Sequence, residues 1–327
     1  MTAAAAVGAA VGVGVLLQPI VVRVTRARGV VDWPNARSSH AVPTPRGGGV
    51  AVVAGVLAGL ALAPEALLVL GVPILGLALL GLAEDLRGVT VRARLVVQAT
   101  IGVAAGAIVV LDRPLTAGTV LVAGGIGGWC VAYVNAFNFM DGVNGISSAH
   151  AIVGGTALGL VGAVRSVEVL LIGGLVVAAA GATFLPWNAG QAKIFLGDVG
   201  SYGLGGGLAI LVAYAVVHGV PVEAALAPLA VYLTDTGWTL IRRVRAGEPW
   251  HQAHRSHIYQ RLTDLGWSHG RVATATAVLA GTASAAGAAS LTGVPAVRLL
   301  ADACIAGCLV AYARAPHWCP RARARWA

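Results

Sequence analysis

Apolar residues in this chain come in long unbroken runs rather than in alternation. Eleven such runs lie at about 4–22, 47–63, 66–83, 95–111, 118–134, 147–164, 168–185, 199–217, 222–240, 272–290 and 296–312. About 20 consecutive apolar residues is the length an α-helix needs to cross a bilayer. A membrane β-barrel would instead alternate apolar and polar residues along each segment. The pattern predicts an all-α fold: a polytopic membrane helix bundle of about 11 transmembrane helices. It reads as one integral membrane domain over 1–327, with 241–271 as a His/Arg-rich loop within it.

The charges orient this bundle. No Lys or Arg precedes the first run, and Arg23, Arg26 and Arg28 follow it. That is the reverse of a signal peptide's charge order, so the run predicts an uncleaved first helix with its N-terminus outside. The C-terminus is then cytoplasmic. With this alternation every Lys and Arg except Arg113, Arg165 and Arg298 falls on the cytoplasmic side, as the positive-inside rule requires.

Composition agrees. Of 327 residues, 57% are hydrophobic and 11% charged, against roughly 25% charged in soluble domains. The net charge of +9 does not indicate nucleic acid, because the arginines sit in short loops and no basic domain with interleaved aromatics exists. They read instead as topology signals and as partners for membrane lipid or phosphate. Cys130, Cys304, Cys308 and Cys319 lack metal-ligand or redox spacing.

The informative residues lie in the polar breaks, and all the long breaks fall on the cytoplasmic side. Asn135–Ser147 reads NAFNFMDGVNGIS, with Asp141 its only charge. Polar groups placed beside a bilayer are costly and are functional candidates. The segment 184–206, FLPWNAGQAKIFLGDVGSYGLGG, carries Lys193 and Asp198 and leads into a helix. A carboxylate with Gly200 and Ser201 at such a helix start suits a Mg²⁺–phosphate site, or else is a capping aspartate. Glu84 and Asp85 are adjacent acids at the end of a run, near Arg87, Arg92 and Arg94. One acid of such a pair is able to hold a metal while the other takes a proton.

Two further breaks supply donors. In Asp32–Val53, Arg37, His40 and Arg46 are donors for an anion, and Gly47–Gly49 would let backbone N–H groups approach a phosphate. Asp235–His269 contains His251, His254, His257 and His269 with Arg255 and Arg261. Zinc is disfavoured there by the lack of a cysteine or an HExxH helix, and a clamp on a diphosphate is favoured. Together these breaks suggest an enzyme joining a charged nucleotide donor to a lipid-borne acceptor. A transporter would place its polar site near the bilayer midplane within repeated halves, and no internal repeat is evident.

From about Asp32 to His269 the chain resembles the polyprenyl-phosphate N-acetylhexosamine-1-phosphate transferase family, of the glycosyltransferase family 4 type. NAFNFMDGVNGIS and AKIFLGDVGS carry the resemblance most specifically, with HRSHIYQRL and DTGWTLIRR resembling the branch that acts on simple UDP-HexNAc donors. The resemblance implies transfer of HexNAc-1-phosphate from a UDP-amino sugar to a polyprenyl phosphate, releasing UMP, with Mg²⁺ or Mn²⁺. It implies Asp198 as metal ligand together with Asp141, and Asn138, Asp141 and Asn144 at the nucleotide–metal site. Asp85 would match the second acid of an Asp-Asp pair, and Lys193, His254, Arg255 and His257 would contact nucleotide or phosphates. It further implies a bacterial plasma membrane and a cytoplasmic active site; a homodimer stays open. The chain departs from the family pattern at Glu84, where Asp is usual, and at HRSH, where many relatives have HxHH. A lipid-linked-sugar flippase and a non-catalytic relative are the alternatives.

Overall fold

In the computed structural model, residues 2–34, 42–249 and 254–318 are described. Arg37, His40, His251 and Cys319, singled out above, lie outside them. The helices are α1 (Ala3–Ala27), α2 (Gly49–Leu60), α3 (Pro64–Ala66), α4 (Val72–Arg87), α5 (Val91–Val109), α6 (Ala117–Met140) and α7 (Ile146–Arg165), followed by α8 (Glu168–Asn188), α9 (Gly197–Val217), α10 (Val222–Leu226), α11 (Ala230–Arg245), α12 (Ile258–Asp264), α13 (His269–Ala289) and α14 (Pro295–Trp318). A π-helical turn, Leu67–Gly71, joins α3 to α4 in one continuous helix. Two short strands, β1 (Val31–Asp32) and β2 (Thr44–Pro45), pair antiparallel.

Every apolar run carries a helix, and the protein is a multi-pass membrane protein. Among the described residues nine helices are long and apolar enough to cross a membrane. The runs at 47–63 and 222–240 do not give full-length helices. The first yields only the 12 residues of α2, about 18 Å of helix at 1.5 Å per residue. Gly47 takes φ +103° before it and Pro64 starts a new helix after it. The second is split by a 3₁₀ turn at Ala227–Leu229 that contains Pro228, which brings no N–H to the ladder.

α9 is almost wholly buried and is the axis of the bundle, packed by α2, α4, α6 and α8. Glycines set the closest of these contacts. A Cβ on Gly49 would strike the backbone of Gly200, and one on Gly81 the backbone of Asp198 and Val199. Backbones can meet this closely only where at least one side lacks a side chain, as at Gly81, or both do, as at Gly49 and Gly200. The stretch expected as a polar loop at 135–147 is mostly helix: α6 continues to Met140, and only 141–145 turns the chain. Asn135 and Asn138 therefore stand on a helix. Asn135 donates to Gln98 Oε1 at 2.6 Å and to the Val131 carbonyl, which answers the cost of an amide at that depth.

Candidate active site

The site is built where α4 and α6 end and α9 begins. The segment 44–49 is zipped onto the chain just before α9. Phe195 N donates to Pro45 O, Gly47 N and Gly48 N to Phe195 O, and Gly49 N to Leu196 O. The three glycine N–H groups are thus engaged within the protein and do not offer an anion nest, contrary to the sequence expectation. What the zipper does is fix Arg46.

Arg46 reaches two carboxylates, Asp85 and Asp198, the second at 3.2 Å. Burial opposes its charge, but Asp85 and Asp198 outweigh that and hold its pKa above the ordinary value. Asp85 is only 3% exposed in its side chain. Its two oxygens accept from Asp198 N and Val199 N, both at 3.0 Å, so it satisfies orphan donors at the start of α9. A Cβ on Gly197, at φ +75°, would lie 2.7 Å from Asp85 Oδ2, so this approach requires glycine on both counts.

Asp198 is partly exposed. Its Oδ1 accepts from Asn138 Nδ2 at 2.7 Å and its Oδ2 from Arg46. Asn138 Nδ2 also lies 3.0 Å from Ser201 Oγ, which is fully buried. Asp141, in the turn after α6, accepts from Ser147 Oγ at 2.6 Å. Burial pushes its carboxyl up to about 7; the Ser147 bond opposes this, and the negative Asp198 adds to it. The structure thus brings Arg46, Asp85, Asn138, Asp141, Asp198 and Ser201 together.

Other residues named from the sequence stand elsewhere. Glu84 turns toward α5, where Arg94 lies 3.7 Å away. Gly200 packs against Gly49 and Leu196 rather than facing the carboxylates. Lys193 is exposed over the ring of Trp187. Asn144 ties loops together: its side chain donates to Gly190 O at 2.6 Å and its N–H to His269 Nδ1. Because Glu84 turns away from Arg46, Asp85 and Asp198, Glu84→Gln is expected to lower turnover less than about tenfold, or about 1.4 kcal/mol of activation free energy. A loss of three orders of magnitude in that variant would place Glu84 in the chemistry.

The His/Arg segment forms a second group. His257 Nδ1 lies 2.9 Å from Asp235 Oδ1, His254 Nδ1 lies 3.0 Å from Ser256 Oγ, and the two rings are 4.9 Å apart. Arg255 pairs with Asp264 at 3.0 Å. Tyr259 OH donates to the Phe139 carbonyl at 2.9 Å, which joins this group to the end of α6 beside Asn138. Burial, then the charges of His257, Arg243 and Arg242, hold His254 down at about 4. A histidine whose folded pKa is depressed contributes stability that is present above the unfolded value, about 6.5, and fades as pH falls toward 4. Asp141, held up at about 7, contributes in the opposite sense over the same window, so the test is the difference between variant and wild type: in thermal melts His254→Gln should lose less stability than the wild type between about pH 6.5 and 4. An unchanged slope would remove His254 from the account.

Sequence reasoning gave no role to Asp235, Gln98, Asn188, Tyr259 or Tyr312. Asn188 accepts from Gly145 N and donates to Ile194 O, bracing the turn that carries Asp141. Asp235 was open to discovery as an acid inside an apolar run.

Among the described residues no three His, Cys, Asp or Glu side chains are grouped to chelate a metal alone. Asp198 and Asp141 supply two carboxylates, a small hard-oxygen set, which fits an ion such as Mg²⁺ that keeps waters and takes phosphate oxygens. The described histidines do not form the set a structural zinc needs.

Residues 67–216 match the profile of Glycosyl transferase family 4. The chain is 29% identical over 276 residues to the probable undecaprenyl-phosphate N-acetylglucosaminyl 1-phosphate transferase of Bacillus subtilis, covering 78% of this chain and 75% of that protein. It is 31% identical over 296 residues to the decaprenyl-phosphate N-acetylglucosaminephosphotransferase of Mycobacterium leprae, covering 74% and 72%. A shorter stretch of 84 residues, 25% of each chain, is 42% identical to a phospho-N-acetylmuramoyl-pentapeptide-transferase of Streptococcus equi subsp. zooepidemicus. With its membrane bundle and the extent of these matches, the chain belongs to glycosyl transferase family 4, among the polyprenyl-phosphate N-acetylhexosamine-1-phosphate transferases.

Proposed function

We propose that the protein transfers a HexNAc-1-phosphate from a UDP-amino sugar to a polyprenyl phosphate, releasing UMP and starting a lipid-linked cell-envelope glycan. The observation that carries this reading is Asp198, held between Asn138 and Arg46 at the junction of three helix ends. In the orientation with the N-terminus outside, this junction faces the cytoplasm of a bacterium, where nucleotide sugars are soluble. The acceptor reaches the same level from the membrane. The polar cluster lies at helix ends rather than at the middle of spans, which favours a transferase over a flippase.

Asp198 and Asp141 would hold Mg²⁺, or Mn²⁺, whose bound charge would neutralise the diphosphate and stabilise the leaving UMP. Asn138 keeps the Asp198 carboxylate turned to the site. Arg46, about a third exposed, presents remaining guanidinium donors to phosphate oxygens. Arg255 supplies donors from the second group, and His254 and His257 bring imidazole rings to the same place. An oxygen of the lipid phosphate attacks the β-phosphorus of the donor; the bond from that phosphorus to the bridging oxygen breaks, and its electrons leave with UMP. The attacking phosphate is largely ionised at neutral pH, its second pKa being about 6, so no strong base is required. Asp85, with its oxygens engaged, acts in this reading as the group that positions α9 and Arg46.

The test is UMP release by the purified protein in detergent, given polyprenyl phosphate and a panel of UDP-HexNAc donors, with Mg²⁺ and with chelator. Lipid-dependent, metal-dependent release supports the proposal and ranks the sugars. Folded protein that releases no UMP with any donor overturns it.

A further inference from the structure

Asp235 is fully buried in α11, and the reaction described above gives it no part. Its carboxylate is nonetheless met by five donors. On Oδ1 these are His257 Nδ1 at 2.9 Å, Ile258 N at 3.0 Å and Thr239 Oγ1 at 3.4 Å. On Oδ2 they are Tyr259 N at 3.1 Å and Tyr312 OH, from α14, at 2.7 Å. A buried carboxylate is costly unless it is saturated in this way. A hydroxyl would serve to cap α12, but only a carboxylate accepts from an imidazole and two successive amides at once.

We propose that Asp235 is the positioning residue of the diphosphate-binding segment, fixing the ring of His257 and the start of α12 so that His254, Arg255 and His257 meet the donor in one arrangement. The inference rests on the transferase reading and assigns the positioning of its second group to one side chain. A carboxylate with this many donors around it accepts, so Nδ1 of His257 carries a proton and Nε2 is the atom turned to the ligand, an acceptor in the neutral ring and a donor to a phosphate oxygen when the ring is protonated. Arg242 Nη2 donates to Ser256 O at 2.6 Å and pins the peptide just before. Tyr259, whose N–H Asp235 holds, bonds Phe139 O on the far side. One carboxylate thereby registers the His/Arg segment against the α6 end that carries Asn138. In Asp235→Asn an amide N–H₂ replaces one acceptor, so one of the two backbone donors or the imidazole loses its partner.

The experiment uses the full-length protein in detergent with polyprenyl phosphate and the UDP-amino sugar that the wild type prefers. kcat, KM for the donor and melting temperature are measured for Asp235→Asn, His257→Gln, the double variant and Tyr312→Phe. Loss of a group that orients a ligand-binding histidine is expected to cost about 10- to 100-fold in kcat/KM. His257→Gln should lose a similar amount, the double variant no more than the worse single, and Tyr312→Phe, which leaves the other four donors on the carboxylate, clearly less than Asp235→Asn. Additive losses in the double variant, or a Tyr312→Phe variant as damaged as Asp235→Asn, would reduce Asp235 to a packing role. ¹⁵N NMR of histidine-labelled wild type gives a readout that needs no variant. A proton on His257 Nδ1 supports the proposal, and a proton on Nε2 with bare Nδ1 overturns it. Absence of UMP release by the wild type would instead sink the transferase reading, while the NMR result still decides the geometry.

Discussion

Asp198→Asn is expected to reduce turnover by about three orders of magnitude while leaving the melting temperature near that of the wild type, in line with the loss of one preorganised charged group at a reacting phosphate. The substitution keeps shape, and the amide oxygen can still accept from Asn138. What it removes is the negative charge beside Arg46 and an oxygen able to hold a divalent cation. Donor binding in the presence of Mg²⁺ should fall to the level seen with chelator. Turnover like the wild type's would end the assignment of Asp198 as a metal-holding residue.

Asp85→Asn is expected to act differently, lowering stability and activity together. Asp85 is nearly inaccessible and answers two backbone N–H groups and a guanidinium. A backbone donor left unsatisfied at the start of α9 costs about 1–3 kcal/mol, and Arg46 loses the more buried of its two carboxylates. The start of α9 and Arg46 would both lose their anchor, so Asp198 would no longer be held in place. Melting temperature and initial rate, measured on the same preparation, separate the two roles open to Asp85. An Asp85→Asn protein that melts like the wild type yet has lost turnover would make Asp85 a direct participant in proton transfer.

The helical bundle was legible because eleven apolar runs leave little else for the chain to form. The acids of the site were legible too, since a charge in a strongly apolar sequence stands out. Their partners were not. That Arg46 bridges Asp85 and Asp198 depends on the pairing of 44–49 with 195–196, a contact between segments about 150 residues apart. The glycines at 47–49 suggested a phosphate nest, because the sequence shows where N–H groups are unencumbered but not which carbonyls they will meet. Asn135 and Asn138 suggested a loop by polarity, yet both lie on the inner face of α6, where Gln98 and Asp198 answer them. Lys193 and Gly200 sit in conspicuous motif positions and face outward or into packing. A short segment thus combines residues that touch the site with residues that merely build its walls. Asp235 shows the converse, an acid whose five partners come from its own helix, the α12 segment and α14 and so leave no local signature.

The contacts at Gly49, Gly81 and Gly200 have a consequence for drug resistance. Where main chain lies directly on main chain, no side chain can be enlarged without driving helices apart. A compound seated against this end of the bundle would face a wall with few mutational exits.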